Sequence, residues 1–260
     1  MQLKDSVAII TGSSSGIGGA IALAFAQRGC HVAINYSRND SGAKAIAAAC
    51  EQHGVKTLVH KANVAEDDDC GALVSATTEK LGAPNILINN AGTTKFCDHG
   101  NLGGLSKQDF LDIYSVNTVG AYQMIRAVEP ALRQHSIAHV INMASIAAIT
   151  GVGSSIAYAA SKGAMITMTM SLARVLGPQI RVNAICPGFV QGEWLEQGLG
   201  KDNYQAMLSK AQKLAPLNDT ATPERIAETA VGIVTGMDWT TGETIIVDGG
   251  SHLQTAPMRR

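Results

Sequence analysis

Apolar residues in this chain fall in short runs separated by stretches of helical period. The runs are SVAIIT (6–11), HVAINY (31–36), KTLVHKANV (56–64), NILINN (85–90), HVINMAS (139–145), IRVNAIC (180–186) and ETIIVDG (243–249). They are rich in β-branched residues and mostly apolar at successive positions. That pattern predicts about seven strands covered on both faces, as parallel strands are. Between them, IGGAIALAFAQRG sets Ile17, Ile21, Ala24 and Phe25 along one face and stops at Gly29, a good helix end. SGAKAIAAACEQHG behaves alike and stops at Gly54. Longer apolar helices are expected over 106–135 and 158–176. Strand–helix alternation of this kind predicts an α/β fold, a doubly wound parallel sheet with right-handed crossovers and helices on both faces. No Pro/Ser-rich linker and no repeat interrupts it, so 1–260 reads as one domain with a loose or subunit-packed tail at 255–260.

Composition narrows the function classes. A chain of 260 residues can bury a substantial core. A net charge of −1 gives no electrostatic case for nucleic acid or an anionic membrane surface. No apolar run reaches the ~18 residues of a membrane span. The start, MQLKDSVAIIT, lacks the layout of a signal peptide. Cys30, Cys50, Cys70, Cys97 and Cys186 are scattered without CxxC spacing, which points to reduced thiols, a cytoplasmic location and no metal site.

The first strand runs into TGSSSGIGGA (11–20). Gly12, Gly16 and Gly18 let backbone approach a pyrophosphate, and the helix starting near Ile17 turns unpaired N–H groups toward it. Ser14 and Ser15 ride the same turn. A plain tight turn would need only two glycines, so the third favours a dinucleotide. NNAG, with Asn90, Ala91 and Gly92, ends the fourth strand at the expected switch point of the sheet. Asn63, followed by Val64, could bond an adenine edge or simply end the third strand. The end of the second strand reads INYSRND (34–40). A carboxylate there would grip both ribose hydroxyls of NAD, but positions 35–37 carry none. Tyr36, Ser37 and Arg38 instead suit a 2′-phosphate, Ser37 by donating and Arg38 by pairing or stacking. The expected cofactor is therefore NADP(H) rather than NAD(H). Asp40 lies too far along and suits the start of the next helix.

The segment 145–164, SIAAITGVGSSIAYAASKGA, places Ser145 at a strand end and Tyr158 and Lys162 four apart on one helix face. An ammonium beside the phenol is expected to lower its pKa from ~10 and make it a usable general acid. These motifs, with VNTVG around Asn117, PG at 187–188 and VDGG at 247–250, resemble the single-domain short-chain dehydrogenases/reductases over almost the whole chain. Within that family the pattern is similar to the 3-oxoacyl-[acyl-carrier-protein] reductases. The resemblance implies a Rossmann-like fold and a tetrad. Asn117 would hold a water, Ser145 would position a carbonyl and Tyr158 would donate the proton. Lys162 would hold the nicotinamide ribose. It also implies a homotetramer built through the helices at 106–135 and 158–176.

Two positions depart from the family pattern. Gly192 stands where a threonine often grips the nicotinamide carboxamide, which shifts that contact to Pro187, Gly188 and the Val190 backbone. Asn63 stands where Asp is frequent. The segment 189–215 has the place of a substrate lid, and Ile146, Phe96, Val152 and Trp194, with Leu195, are candidate lining residues. His99, in the long 93–106 stretch, reads as an exposed loop residue. The expected activity is reduction of a small-molecule carbonyl, carrier-linked or free, to an alcohol. The alternatives are an NAD-dependent alcohol or hydroxysteroid dehydrogenase working in oxidation, and a cofactor-binding regulator without chemistry.

Overall fold

The computed structural model describes residues 1–253, so the tail at 255–260 lies outside the described residues. Seven strands form one sheet: β1 (Val7–Ile10), β2 (His31–Tyr36), β3 (Thr57–Lys61), β4 (Ile86–Asn89), β5 (Ala138–Met143), β6 (Ile180–Pro187) and β7 (Thr244–Val247). Their order is β3-β2-β1-β4-β5-β6-β7, and every pairing is parallel. The chain winds outward from β1 to β3, then returns to the other side of β1 with β4. That reversal puts the switch point between β1 and β4, where open α/β sheets leave a crevice at the strand ends.

Successive strand residues face opposite sides, and the two cores follow that alternation. Ile10, Ile34 and Ile88 pack under α1 (Gly16–Ala26), α2 (Asp40–Glu51) and α10 (Pro223–Gly236), with Phe25 and Ile233. Ile9, Leu87 and Val140 pack under α3 (Asp67–Leu81), α5 (Ala121–Leu132) and α7 (Ile156–Leu176), with Leu73, Met124 and Leu132. All of these side chains are fully buried, and each contributes roughly 1.5–3 kcal/mol relative to exposure. Among the described residues no helix is long and apolar enough to cross a membrane.

Three differences from the sequence expectation bear on the site, and at each a side chain binds backbone. The third strand stops at Lys61 rather than 64. There the Asn35 amide donates to the Ala62 carbonyl at 3.0 Å, and the Asn63 N–H turns to the Asp69 carboxylate at 2.7 Å. The fifth strand stops at Met143, two residues before Ser145, where Lys162 Nζ donates to the Met143 carbonyl at 2.7 Å. The expected helix over 106–135 is two helices, α4 (Lys107–Tyr114) and α5, joined by a π-helical segment at Ser115–Gly120. A wider turn of this kind often marks a functional site, and Asn117 lies inside it. The remaining helices are α6 (Ala147–Thr150), α8 (Glu193–Leu199) and α9 (Lys201–Leu214).

Candidate active site

The glycine turn is shaped by its neighbours. Gly12 has φ +61°, and a Cβ there would lie 2.9 Å from Ala91 Cα. A Cβ on Gly18 would meet Asn90 Nδ2 at 2.5 Å and the Gly12 carbonyl at 2.7 Å. Gly16, at φ +55°, faces open space. Asn90 reaches across from β4 and donates to the Thr11 and Gly12 carbonyls, both at 3.0 Å. The Thr11 hydroxyl accepts from the Asn90 and Ala91 N–H groups, each at 3.0 Å. From the other side the Asn35 side-chain oxygen accepts the Gly12 N–H at 3.0 Å. Ser15 is the N-cap of α1, but its side chain makes no capping bond, and the first turn carries no acidic residue. Ser14, Ser15 and Ile17 therefore edge an uncapped helix N-terminus whose partial positive charge faces outward.

At the end of β2, Ser37 and Arg38 are exposed, and Tyr36 is half-buried. Asp40 starts α2 as expected, beside the N-cap Asn39, and its carboxylate pairs with Lys44 at 2.5 Å and faces the Tyr36 hydroxyl. Those bonds, Lys44 first, hold the Asp40 carboxyl below the usual carboxylate range. Asn63 is exposed, and its side-chain oxygen accepts the Ala65 N–H at 3.2 Å. Val64 is buried and its carbonyl accepts from Gln123 Nε2 at 2.8 Å.

Tyr158, Lys162 and Ser161 lie on α7, whose N-cap Ser155 accepts from the Tyr158 N–H. Lys162 is 3% exposed, and its Nζ stands 5.7 Å from the centre of the Tyr158 ring. Gly92 is the neighbour that leaves room: a Cβ there would lie 3.6 Å from Lys162 Nζ and 3.4 Å from Asn117 Oδ1. Burial holds the Lys162 ammonium down to about 8. The nearby lysine is not the dominant influence on the tyrosine. Burial raises the Tyr158 phenol above its usual value, and the Ser145 hydrogen bond offsets this only in part. Taking a phenolate out of water costs more than the nearby dipole returns.

Asn117 is fully buried. Its Oδ1 accepts the Thr93 N–H at 2.7 Å, and its Nδ2 donates to the Thr93 carbonyl and to Ser161 Oγ, both at 3.0 Å. Over the tyrosine sit two aromatic rings. Trp194 of α8 is 6.3 Å from the Tyr158 ring and 5.8 Å from Phe96. A Cβ on Gly198 would collide with the Phe96 ring, so α8 rests on Phe96 through a notch that only glycine leaves. Val152 is 72% exposed, beyond this cluster, while Ile146 is half-buried and donates its N–H to the Pro187 carbonyl at 2.9 Å. His99, expected to be a free loop residue, is half-buried and within 3.2 Å of the Gly153 carbonyl.

Gly188 and Asp248 interlock: a Cβ on Gly188 would lie 2.5 Å from Asp248 Cβ, and the Gly188 N–H donates to the Val247 carbonyl at 3.0 Å. Val190 is bridged to Ala221 through the Gln191 N–H at 2.9 Å, a bond that does not use Val190's own amide groups. Among the described residues no cluster of His, Cys, Asp and Glu is arranged to hold a metal.

This arrangement matches known proteins along nearly its whole length. A family model described as Enoyl-(Acyl carrier protein) reductase matches residues 12–252. A Streptomyces violaceoruber protein assigned as granaticin polyketide synthase ketoacyl reductase 2 is 35% identical over 247 residues, covering 95% of this chain and 96% of that one. A 3-oxoacyl-[acyl-carrier-protein] reductase of Staphylococcus epidermidis is 31% identical over 95% of this chain and 98% of its own length. A crystal structure assigned as a short-chain dehydrogenase/reductase from Burkholderia xenovorans superposes with a TM-score of 0.89 at 39% identity, covering 96% of this chain and 98% of that one. The chain belongs to the short-chain dehydrogenase/reductase family of oxidoreductases.

For a short-chain dehydrogenase/reductase, the fit of a dinucleotide is tested by the crevice itself. Gly12 and Gly18 let the turn press against Ala91 and Asn90 where a Cβ would collide, Gly16 faces open space, and the α1 N-terminus beside it is uncapped. The residues present fit the group. Two contributors lie inside quoted stretches without being singled out there. Asn35 and Ser161 each lie fully or almost fully buried. Their only signal is a polar residue at a position whose period is that of the core.

Proposed function

We propose that this protein is an NADPH-dependent reductase that converts a ketone, a β-ketoacyl thioester or another carbonyl, to a secondary alcohol. The observation that carries the reading is the buried Lys162 ammonium 5.7 Å from the Tyr158 ring, with Trp194 packed 6.3 Å from that ring and against Phe96. The names of the relatives, which are ketoacyl reductases, support the same class of reaction.

In this reading Gly12, Ser14, Ser15, Gly16, Ile17 and Gly18 hold the pyrophosphate at the α1 N-terminus. Tyr36, Ser37 and Arg38 take the 2′-phosphate, and Asn63 and Val64 flank the adenine. Asn90, Ala91 and Gly92 line the crevice beside the ribose that Tyr158 and Lys162 grip. Pro187, Gly188 and Val190 meet the carboxamide. The cofactor supplies a hydride to the carbonyl carbon.

The chain's own groups manage the oxygen. Negative charge grows there in the transition state, and Ser145 and Tyr158 donate hydrogen bonds to it. Tyr158 then gives up its proton, which completes the alcohol. The raised tyrosine suits that direction, because the phenol carries its proton at neutral pH. Lys162 and Asn117 stand behind it as the route by which the proton is replaced. Phe96 and Trp194 exclude water above the ring.

One domain spans 1–260 in this proposal, with 189–215 as its lid. The exposed apolar residues Leu111, Val119 and Tyr122 near α4 and α5, and Met170 and Val175 on α7, form the contact of a homotetramer. The test is NADPH consumption with a panel of free ketones and β-ketothioesters. Turnover of a ketone supports the reading, and NADPH binding without turnover of any member contradicts it.

A further inference from the structure

Ser161 lies between Tyr158 and Lys162 on α7, yet its side chain points away from both reactive groups into the protein. It is fully buried. Its hydroxyl donates to the Tyr158 carbonyl at 2.7 Å and accepts from Asn117 Nδ2 at 3.0 Å. A hydroxyl has one donor and two acceptor positions, so the donor is committed to the helix and a lone pair to Asn117. Thr118 adds a second tie, its hydroxyl donating to the Ser161 carbonyl at 3.1 Å.

The Asn117 amide is thereby fixed in one orientation. Both Nδ2 hydrogens are used, on Thr93 and Ser161, and Oδ1 takes the Thr93 N–H. A flipped amide would set oxygen against the Thr93 carbonyl and an N–H against an N–H. The chain of bonds therefore runs from Thr93, which follows the NNAG turn, through the π-helical segment to the backbone of Tyr158. Replacing Ser161 by an apolar residue would leave one buried amide hydrogen unpaired, and such a group is costly.

We propose that Ser161 is a positioning residue: its hydroxyl ties Asn117 and the Thr93 backbone to the helix that carries Tyr158 and Lys162, and so sets the geometry of proton delivery. The proposal rests on the carbonyl-reductase reading for its kinetic consequence, but the bond network it describes exists independently of it.

Four variants test it: Ser161→Ala, Ser161→Thr, Ser161→Cys and, as a control, Thr169→Val. Thr169 is buried on the same helix, about two turns beyond Lys162, and accepts from Asn142 Nδ2 at 2.9 Å, with no bond to Asn117 or Thr93. In Ser161→Ala, kcat falls ~10-fold, the equivalent of one lost buried bond, while NADPH affinity stays as in the wild type. Ser161→Thr keeps the hydroxyl and restores kcat. Thr169→Val lowers thermal stability without lowering kcat. Hydrogen exchange of the peptide containing Thr93 speeds up in Ser161→Ala and stays slow in Ser161→Thr. If Ser161→Ala does not fold, Ser161→Cys, close in size but a weak acceptor, gives the same readings. Wild-type kcat in Ser161→Ala, or unchanged exchange at Thr93, overturns the proposal. If the wild type reduces no carbonyl, the functional reading fails instead, and the exchange at Thr93 still decides the positioning role.

Discussion

The side-chain oxygen of Asn35 accepts the Gly12 N–H at 3.0 Å, joining the end of β2 to the glycine turn after β1. The same amide donates to the Ala62 carbonyl at 3.0 Å, so one side chain ties three strand ends together. Ser13 completes the link by donating its N–H to the Asn35 carbonyl at 2.9 Å. The turn is thus held by the protein's own groups.

Removing that tie has a readable cost. Asn35→Ala leaves the part-buried Gly12 N–H and the buried Ala62 carbonyl without this partner, about 1–3 kcal/mol for the buried carbonyl and less for the N–H. The expected result is a melting temperature lower by several degrees and weaker NADPH binding. Thermal melts and fluorescence titration check both.

Arg38 discriminates between cofactors if it meets a 2′-phosphate. Arg38→Ala then weakens NADPH by roughly 10-fold, the loss of a charge-assisted bond, and leaves NADH unchanged. Added salt narrows the NADPH–NADH gap in the wild type. Equal losses for both cofactors would remove the phosphate assignment.

Helix α8 rests on Phe96 through Gly198. Gly198→Ala drives a methyl group into the Phe96 ring, and overpacking of this kind costs ~1–3 kcal/mol. α8 must move, so KM for the ketone rises while NADPH affinity holds. Phe96→Ala added to Gly198→Ala recovers part of the loss. Additive effects of the two changes would show that they do not share a contact.

Burial of Lys162 makes stability depend on pH in a defined sense. Its ammonium titrates at about 8 in the folded protein against 10.5 unfolded. Between these values the unfolded chain binds the extra proton, so stability rises with pH over that window. Below about 8 both states are protonated, and the full cost of the buried charge is present. Lys162→Met removes this component. The difference in urea midpoint between wild type and variant, measured from pH 8 to 10, should shift in favour of the wild type as pH rises.

Much of this arrangement is legible in the chain. The glycine turn, NNAG and the Tyr158–Lys162 spacing carry their geometry locally, through backbone φ and helix period. What escapes depends on long-range capture of backbone by side chains. Nothing near residue 60 announces that Asn35 will take the Ala62 carbonyl and end β3, and nothing near 143 announces that Lys162 will do the same for β5. The π-helical segment within 106–135 is also hidden, and the Asn117 inside it bonds Thr93, 24 residues away. The tyrosine pKa runs against the expectation because charge proximity can be read from spacing, whereas depth of burial cannot.

The most direct measurement compares wild type and Tyr158→Phe for NADPH binding and for NADPH-driven reduction of a ketone in the same preparation. The account predicts that binding is kept while kcat falls at least ~100-fold, the scale of a lost general acid. Turnover by Tyr158→Phe at the wild-type rate would contradict it.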